Sequence, residues 1–245
     1  MVQLRVADSG QGRESVSRDD VRAVLERARA VLFDFDGPIC SVFAGYPAPV
    51  VARELREQLT RAGVDLPQTD DPLEVLRLAA PLGPQVLVEI EDMLIAAERA
   101  AALTAAPTRG GEESISACVA SGRSAAIVSN NSAAAVVAYL AARGISSPGS
   151  DLVVGRQYAK PHLMKPHPAP VLAVLAAVGV EPGDAVLIGD TVTDVEAAAA
   201  AGVLCIGYAN KPGKRERLRK AAVVIDDMGV LAEQLAAVPL RRTTR

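Results

Sequence analysis

Short apolar runs that close on polar residues recur along this chain, and helical periodicity fills the intervals between them. AVLFDFD (30–36), SAAIVSN (124–130), DLVVG (151–155), AVLIGD (185–190), VLCIG (203–207) and AVVID (222–226) are runs of this kind. They are too short for helices and have the form of buried parallel strands whose carboxyl ends open on a site. Between them, RDDVRAVLERARA (18–30) sets Val21, Val24, Leu25 and Ala28 on one helical face, and EESISACVASG (112–122) and SAAAVVAYLAARG (132–144) read as further helices. The alternation predicts an α/β fold, a Rossmann-like doubly wound parallel sheet.

One interval breaks the rhythm. The span between the first two runs is far longer than a single crossover needs, and it holds helical pattern without convincing strands. VVARELREQLTRAG (50–63), PLEVLRLAAPLG (72–83) and PQVLVEIEDMLIAAERAAAL (84–103) are amphipathic and bounded by Pro, Gly and Asp. They predict an inserted small α-helical cap domain over residues 44–107, with the α/β core formed by 1–43 and 108–245. Gly45, Pro47, Pro107, Gly110 and Gly111 interrupt the periodicity at the two joints, where hinges are expected.

Composition narrows the function. The chain of 245 residues is 50% hydrophobic and 22% charged, enough for a sizeable core. Aromatics are only 3%, Trp is absent and the net charge is -3, which argues against nucleic-acid binding. Cys40, Cys118 and Cys205 have neither disulfide nor zinc spacing, so a cytoplasmic protein with free thiols is expected. No apolar stretch suits secretion or a membrane span. Residues 1–17 are polar, and the basic LRRTTR (240–245) reads as a frayed tail.

Chemistry concentrates where the runs end. The first closes on Asp34-Phe35-Asp36-Gly37, the second on Ser129-Asn130-Asn131, and the run at 185–190 on Gly189-Asp190-Thr191-Val192-Thr193-Asp194. Residues i and i+2 of a strand point the same way, so Asp34 and Asp36 start on one side, and Gly37 permits a sharp turn after them. Each piece has a plain reading beside the chemical one. An acid pair can be a turn and a helix cap, Ser129 and Asn130 can cap the helix at 132, and Asp194 can serve the positive end of its own helix. His162 and His167 sit beside prolines without ligand-spaced neighbours, so no metal role is expected of them, and Cys40 reads as core.

Taken together with a lysine from YAKPHLMKPHPAP (158–170), these motifs resemble the haloacid dehalogenase superfamily, in its phosphatase branch with a helical cap, the phosphoglycolate phosphatase-like members among them. The motifs are DFDG at 34–37, IVSN at 127–130, a Lys-Pro, and GDTVTD at 189–194. Pro38 stands where such proteins most often carry Thr, which removes one local hydrogen bond. In the superfamily the lysine precedes a helix that leads to the GD strand. Lys165 fits, because Val171, Leu172, Leu175 and Val178 share a helical face directly after it, while Lys160 lies a loop further back and is expected to be solvated.

The resemblance implies a mechanism. Asp34 attacks phosphorus to form an aspartyl-phosphate, and Mg2+ is held by Asp34, Asp190 and the backbone carbonyl of Asp36. Ser129 and the amide of Asn130 bind phosphoryl oxygens, Lys165 neutralises charge, Asp194 acts behind the ligands, and the Asp36 carboxyl serves as acid and base. The implied partner is a small phosphorylated metabolite closed in by the cap, for which Tyr46, Arg53, Arg56 and Arg77 are candidate contacts. A phosphomutase or phosphotransferase would use the same residues, and a receiver-like phospho-acceptor module is the rival from another class.

Overall fold

The computed structural model of the protein describes residues 18–145 and 152–240; the polar leader, all but the first residue of the basic tail, and the start of the strand expected at 151 lie outside the described residues. From the N-terminal side, α1 (Arg18–Leu25), β1 (Ala30–Phe33) and the two-residue β2 (Cys40–Ser41) lead into α2 (Ala48–Arg61), α3 (Pro72–Ala79) and α4 (Pro84–Leu103). The chain returns through β3 (Ala106–Pro107) to α5 (Gly111–Ala120), β4 (Ser124–Val128), α6 (Ala133–Ala142), β5 (Val153–Val154) and α7 (Ala169–Val178). It closes with β6 (Ala185–Gly189), α8 (Val192–Ala200), β7 (Leu204–Tyr208), α9 (Lys214–Arg217), β8 (Val223–Ile225) and α10 (Met228–Ala237).

The main sheet is parallel, in the order β5-β4-β1-β6-β7-β8. Apolar cores lie on both faces, with Val31 and Phe33 in one and Ala30 and Leu32 in the other. All four β1 side chains are therefore fully buried, which is why the run carries no polar alternation. β1 is central, and Phe33 pairs in register with Ile127 of β4 and Ile188 of β6. Neighbouring strands run about 4.8 Å apart, so the residues that follow these three positions meet at one edge. The chain order reverses on either side of β1, and that edge is the topological switch point at which such sheets bind ligands.

Two predicted helices are shorter than expected, one through a tertiary contact and one through a proline. α1 stops at Leu25 rather than continuing to the strand, because buried Arg123 takes the carbonyls of Leu25 and Ala28 at 2.9 and 2.8 Å. α3 gives way after Ala79 to a 3-10 turn over Ala80–Leu82, where Pro81 offers no backbone N–H.

The helical insert has its own core, built from Val51, Leu55, Leu59, Leu76, Ile90 and Leu94 among others. Beside the two joints where hinges are expected, β2 and β3 form an antiparallel ribbon, Cys40 opposite Pro107 and Ser41 opposite Ala106. Two-residue strands, one of them containing proline, carry no period for a sequence reading to detect. Thr108 tightens the ribbon, its hydroxyl donating to the Gly37 carbonyl at 2.6 Å and its amide to Ile39 O at 2.9 Å.

Candidate active site

Asp34 is the first residue past β1, and its amide continues the ladder to Ile188 O at 2.8 Å. Its Oδ1 accepts from the Phe35 amide at 2.8 Å and from Lys165 Nζ at 2.8 Å. Lys165 also reaches Asp194 Oδ1 at 2.6 Å and donates to Val128 O at 3.0 Å. Three oxygens thus lie within 3.0 Å of this buried ammonium, Asp194 Oδ1 meeting it as an ion pair rather than as a directed hydrogen bond. Of the two lysines in the Lys-Pro-His repeats, the structure buries Lys165 at the strand ends and leaves Lys160 exposed.

Asp190 follows β6 and lies tight against the first motif: a Cβ on Gly37, whose φ is +111°, would stand 2.4 Å from Asp190 Cγ. Gly189 has a similar role, since a Cβ there would meet Asp194 at 2.3 Å. Thr191 and Asp194 form a reciprocal cap on α8, Asp194 Oδ2 accepting from the Thr191 amide at 3.0 Å. Asp194 therefore serves both readings, capping its own helix with one oxygen and holding Lys165 with the other.

The second motif turns sharply after β4. Buried Ser129 accepts from the Asn131 amide at 3.1 Å through its hydroxyl oxygen. The Asn130 side chain forms a closed pair with the Lys165 backbone, donating to its carbonyl at 3.1 Å and accepting from its amide at 2.8 Å. Asp36 differs from the other acids. It lies exposed in the mouth of the cavity, with Oδ1 accepting from the Val42 amide at 3.0 Å. The carboxylates that converge are those of Asp34, Asp190 and Asp194, each offering an oxygen within 4.8 Å of the others. Asp36 lines the same cavity without joining them.

Electrostatics follow from this packing. Burial raises the Asp34 pKa well above the carboxylate range, with Asp194 and Asp190 acting in the same direction against Lys165. Burial alone would lower Lys165; Asp194 and Asp34 outweigh it and keep the ammonium charged beyond its usual range. The Asp190 pKa is raised by burial, against Lys214. Asp36 is crowded by protein on the sides that do not face the cavity; that desolvation raises its pKa, and Asp190 adds to it, while the Val42 amide, Lys214 and Lys211 oppose. Burial is the main cause of the raised Asp34 and Asp190 pKa values, and the three buried acids face two ammonium groups, those of Lys165 and Lys214. Clustered hard oxygens with unbalanced charge fit a small divalent cation such as Mg2+.

The cavity above these groups holds about 590 Å³. Several lining residues carried no signal in the sequence. Lys214 contacts Asp190, and the Asn210 side-chain amide donates to the same carboxylate at 3.2 Å. Lys211 and Arg217 share that wall, with Asp70 and Asp71 of the cap in the same cavity. A basic stretch such as KPGKRER reads from sequence as a solvated surface. Of the cap residues proposed as substrate contacts, Arg77 lines the cavity, paired with Glu74 at 3.1 Å. The others are engaged within the cap, Tyr46 with Glu54, Arg53 with Glu57 at 3.7 Å and Arg56 with Gln68. His162 and His167 are exposed, and His167 Nδ1 accepts from the Ala169 amide at 3.1 Å at the start of α7. Cys40 is buried, as are the other two cysteines, and all three are free.

Comparison with known proteins agrees with this geometry. The family model described as haloacid dehalogenase-like hydrolase matches residues 28–202. Phosphoglycolate phosphatase of Rhodospirillum rubrum is 37% identical over 102 residues, covering 40% of each chain. The enzyme of that name from Pseudomonas putida is 41% identical over 69 residues, covering 27% of this chain and 25% of its own. The matches thus span less than half the length of these curated relatives. Among solved structures, CbbY from Rhodobacter sphaeroides in complex with phosphate superposes with a TM-score of 0.61 at 21% identity, covering 82% of this chain and 95% of that one. A putative beta-phosphoglucomutase from Bacteroides vulgatus gives 0.64 at 18% identity, covering 92% and 100%. Identities this low speak for the fold alone. Among the described residues, no helix is long and apolar enough to cross a membrane.

Proposed function

The chain belongs to the haloacid dehalogenase-like hydrolases, and on that premise we propose that it is a magnesium-dependent phosphatase, cleaving a small phosphomonoester through an aspartyl-phosphate on Asp34. The observation that carries this reading is the Lys165 ammonium between Asp34 and Asp194 on the floor of a cavity that Ser129 and Asn130 also line. Among the described residues no hydrogen bond reaches Asp34 Oδ2, whereas Oδ1 is anchored twice. That leaves one oxygen as nucleophile and one as handle.

Attack by Oδ2 forms the new O–P bond as the ester O–P bond breaks. The leaving oxygen takes its proton from Asp36, whose raised pKa keeps a proton available. Water, giving its proton back to Asp36, then cleaves the acyl phosphate, releasing inorganic phosphate and restoring Asp34. Ser129 and the Asn130 amide hold phosphoryl oxygens, while Lys165 keeps Asp34 oriented and offsets charge. Asp34, Asp190 and the Asp36 carbonyl would hold Mg2+, with Asp194 behind them, and the ion would supply Lewis-acid neutralisation of the phosphoryl charge. The relatives named as phosphoglycolate phosphatases make a small carboxylated phosphomonoester the first compound to try.

A phosphate-release screen over small phosphomonoesters, with magnesium and with EDTA, tests this reading. Catalytic release dependent on magnesium is expected; stoichiometric labelling of the protein without turnover would instead favour a phospho-acceptor module. Asp36→Asn should slow an alkyl phosphate far more than p-nitrophenyl phosphate, whose leaving group needs no proton. Equal losses on both would remove Asp36 from the acid role.

A further inference from the structure

Behind the phosphoryl-binding turn lies a second buried ionic cluster. Arg156 follows β5 with its side chain fully buried, Nε donating to Glu91 Oε1 at 2.6 Å and Nη1 to Glu98 Oε1 at 2.5 Å. Glu91 and Glu98 are two turns apart on one face of α4, the last helix of the cap, and both are buried. Two of these residues, Arg156 and Glu98, take up the turn after β4. Arg156 Nη1 donates to Asn130 O at 3.2 Å and its amide to Asn131 O at 3.0 Å, while Glu98 accepts from Asn131 Nδ2 at 3.2 Å and from the Ser132 amide at 2.9 Å. Gly155 presses the two segments together, since a Cβ there would meet Ala133 N at 2.2 Å.

Stability does not explain such an arrangement. Burying an ion triad gains little over packed apolar side chains, and this one leaves Glu91 Oε2 and Arg156 Nη2 buried without a hydrogen-bond partner. Geometry does. A guanidinium is planar and rigid, so two carboxylates fix its plane, and that plane fixes the carbonyl of Asn130. Asn130 in turn grips Lys165 at both backbone atoms.

We propose that Arg156, clamped by Glu91 and Glu98, is a positioning residue for the phosphoryl site: it holds Asn130 and Asn131, and through them sets where Ser129 and Lys165 face the phosphoryl group. The catalytic half of this inference rests on the phosphatase reading. It also makes α4 part of the framework, because that helix cannot leave the turn without breaking the bonds of Glu98.

The test uses the full chain with Arg156→Lys and the near-isosteric Glu98→Gln. Glu112→Gln serves as control, since it weakens the contacts of Glu112 with Tyr139 and Arg143, far from the phosphoryl-binding turn. Magnesium-dependent hydrolysis of p-nitrophenyl phosphate should fall in kcat by about ten- to a hundredfold with a much smaller change in KM. Affinity for inorganic phosphate, measured by calorimetry, should weaken by about fivefold. Backbone amide exchange should quicken in peptides covering 128–133 and 163–166 and stay unchanged over 186–195. Folded variants with kcat and phosphate affinity within about twofold of wild type would overturn the proposal. So would exchange that rises uniformly across the sheet, the mark of simple destabilisation. If wild type turns over no phosphoester, the phosphatase reading fails separately, and the exchange pattern alone decides whether Arg156 orders the turn. Should Arg156→Lys not fold, Glu98→Gln, which preserves shape, decides.

Discussion

Lys165 and Arg156 are each a buried cation wedged between two buried acids, Asp34 and Asp194 in one case, Glu91 and Glu98 in the other. The surroundings separate them. Lys165 sits at the floor of an open cavity, where Asp190 adds a further carboxylate that Lys214 pairs from the cavity wall. Arg156 is closed in, and one of its partners, Glu98, spends its remaining capacity on the backbone and side chain of the adjacent turn. The cluster around Lys165 keeps its acids next to open space, whereas the cluster around Arg156 is turned on neighbouring protein. Lysine suits the first, as a compact point charge that serves three oxygens; arginine suits the second, as a plate whose orientation can be fixed.

The sharpest way to break this contrast is to neutralise one charged group on each side. Asp34→Asn should cut phosphate release by about a thousandfold or more while the circular dichroism spectrum stays that of wild type. In metal-free protein it should also raise the urea midpoint, because it removes one of three crowded carboxylates. Retained turnover would return Asp34 to the role of a turn residue. Arg156→Met should do the reverse to stability, lowering it by about 3–5 kcal/mol through two stranded glutamates, as urea denaturation would record.

The pH dependence of stability should divide the two clusters again. A carboxyl whose pKa is raised on folding keeps a proton that the unfolded chain has released. Its stabilisation is complete below the unfolded value near 4 and is lost as pH climbs to the folded value. Asp34, Asp190 and Glu91 are all raised, mainly by burial. Metal-free protein should therefore lose stability as pH rises above about 4, with a slope of up to about 1.4 kcal/mol per pH unit for each group in its own window. Magnesium should remove the share of Asp34 and Asp190 and leave that of Glu91. Melting temperatures from pH 4 to 8, with EDTA and with magnesium, would show this; parallel curves would mean that the cation does not sit on those acids. The smallest effect is expected from Lys160→Ala, within about 0.5 kcal/mol and with unchanged turnover, since the residue is exposed.

What the amino-acid order determined by itself is local. Apolar runs, helical periods and Gly or Pro punctuation mark out the sheet strands, the helices and the inserted cap, because each follows from the path of the backbone over a few residues. The acids at 34 and 190 and Ser129 are legible for the same reason: they end strands, and parallel strands end together. Lys165 could be chosen over Lys160 because a helix follows it directly. Folding alone decided the rest. Asp194 rather than the Asp36 carboxyl joins the converging acids, since a helical cap turns one inward and the Val42 amide draws the other aside. The ribbon that ties the cap to the core, the lysines on the wall beside Asp190, and the Arg156 brace join residues remote in sequence. Glu91, Glu98 and Arg156 carry the same charges that any solvated helix or loop would show. They differ from surface charges only because α4 crosses the turn after β4, and no local pattern specifies where two distant elements meet.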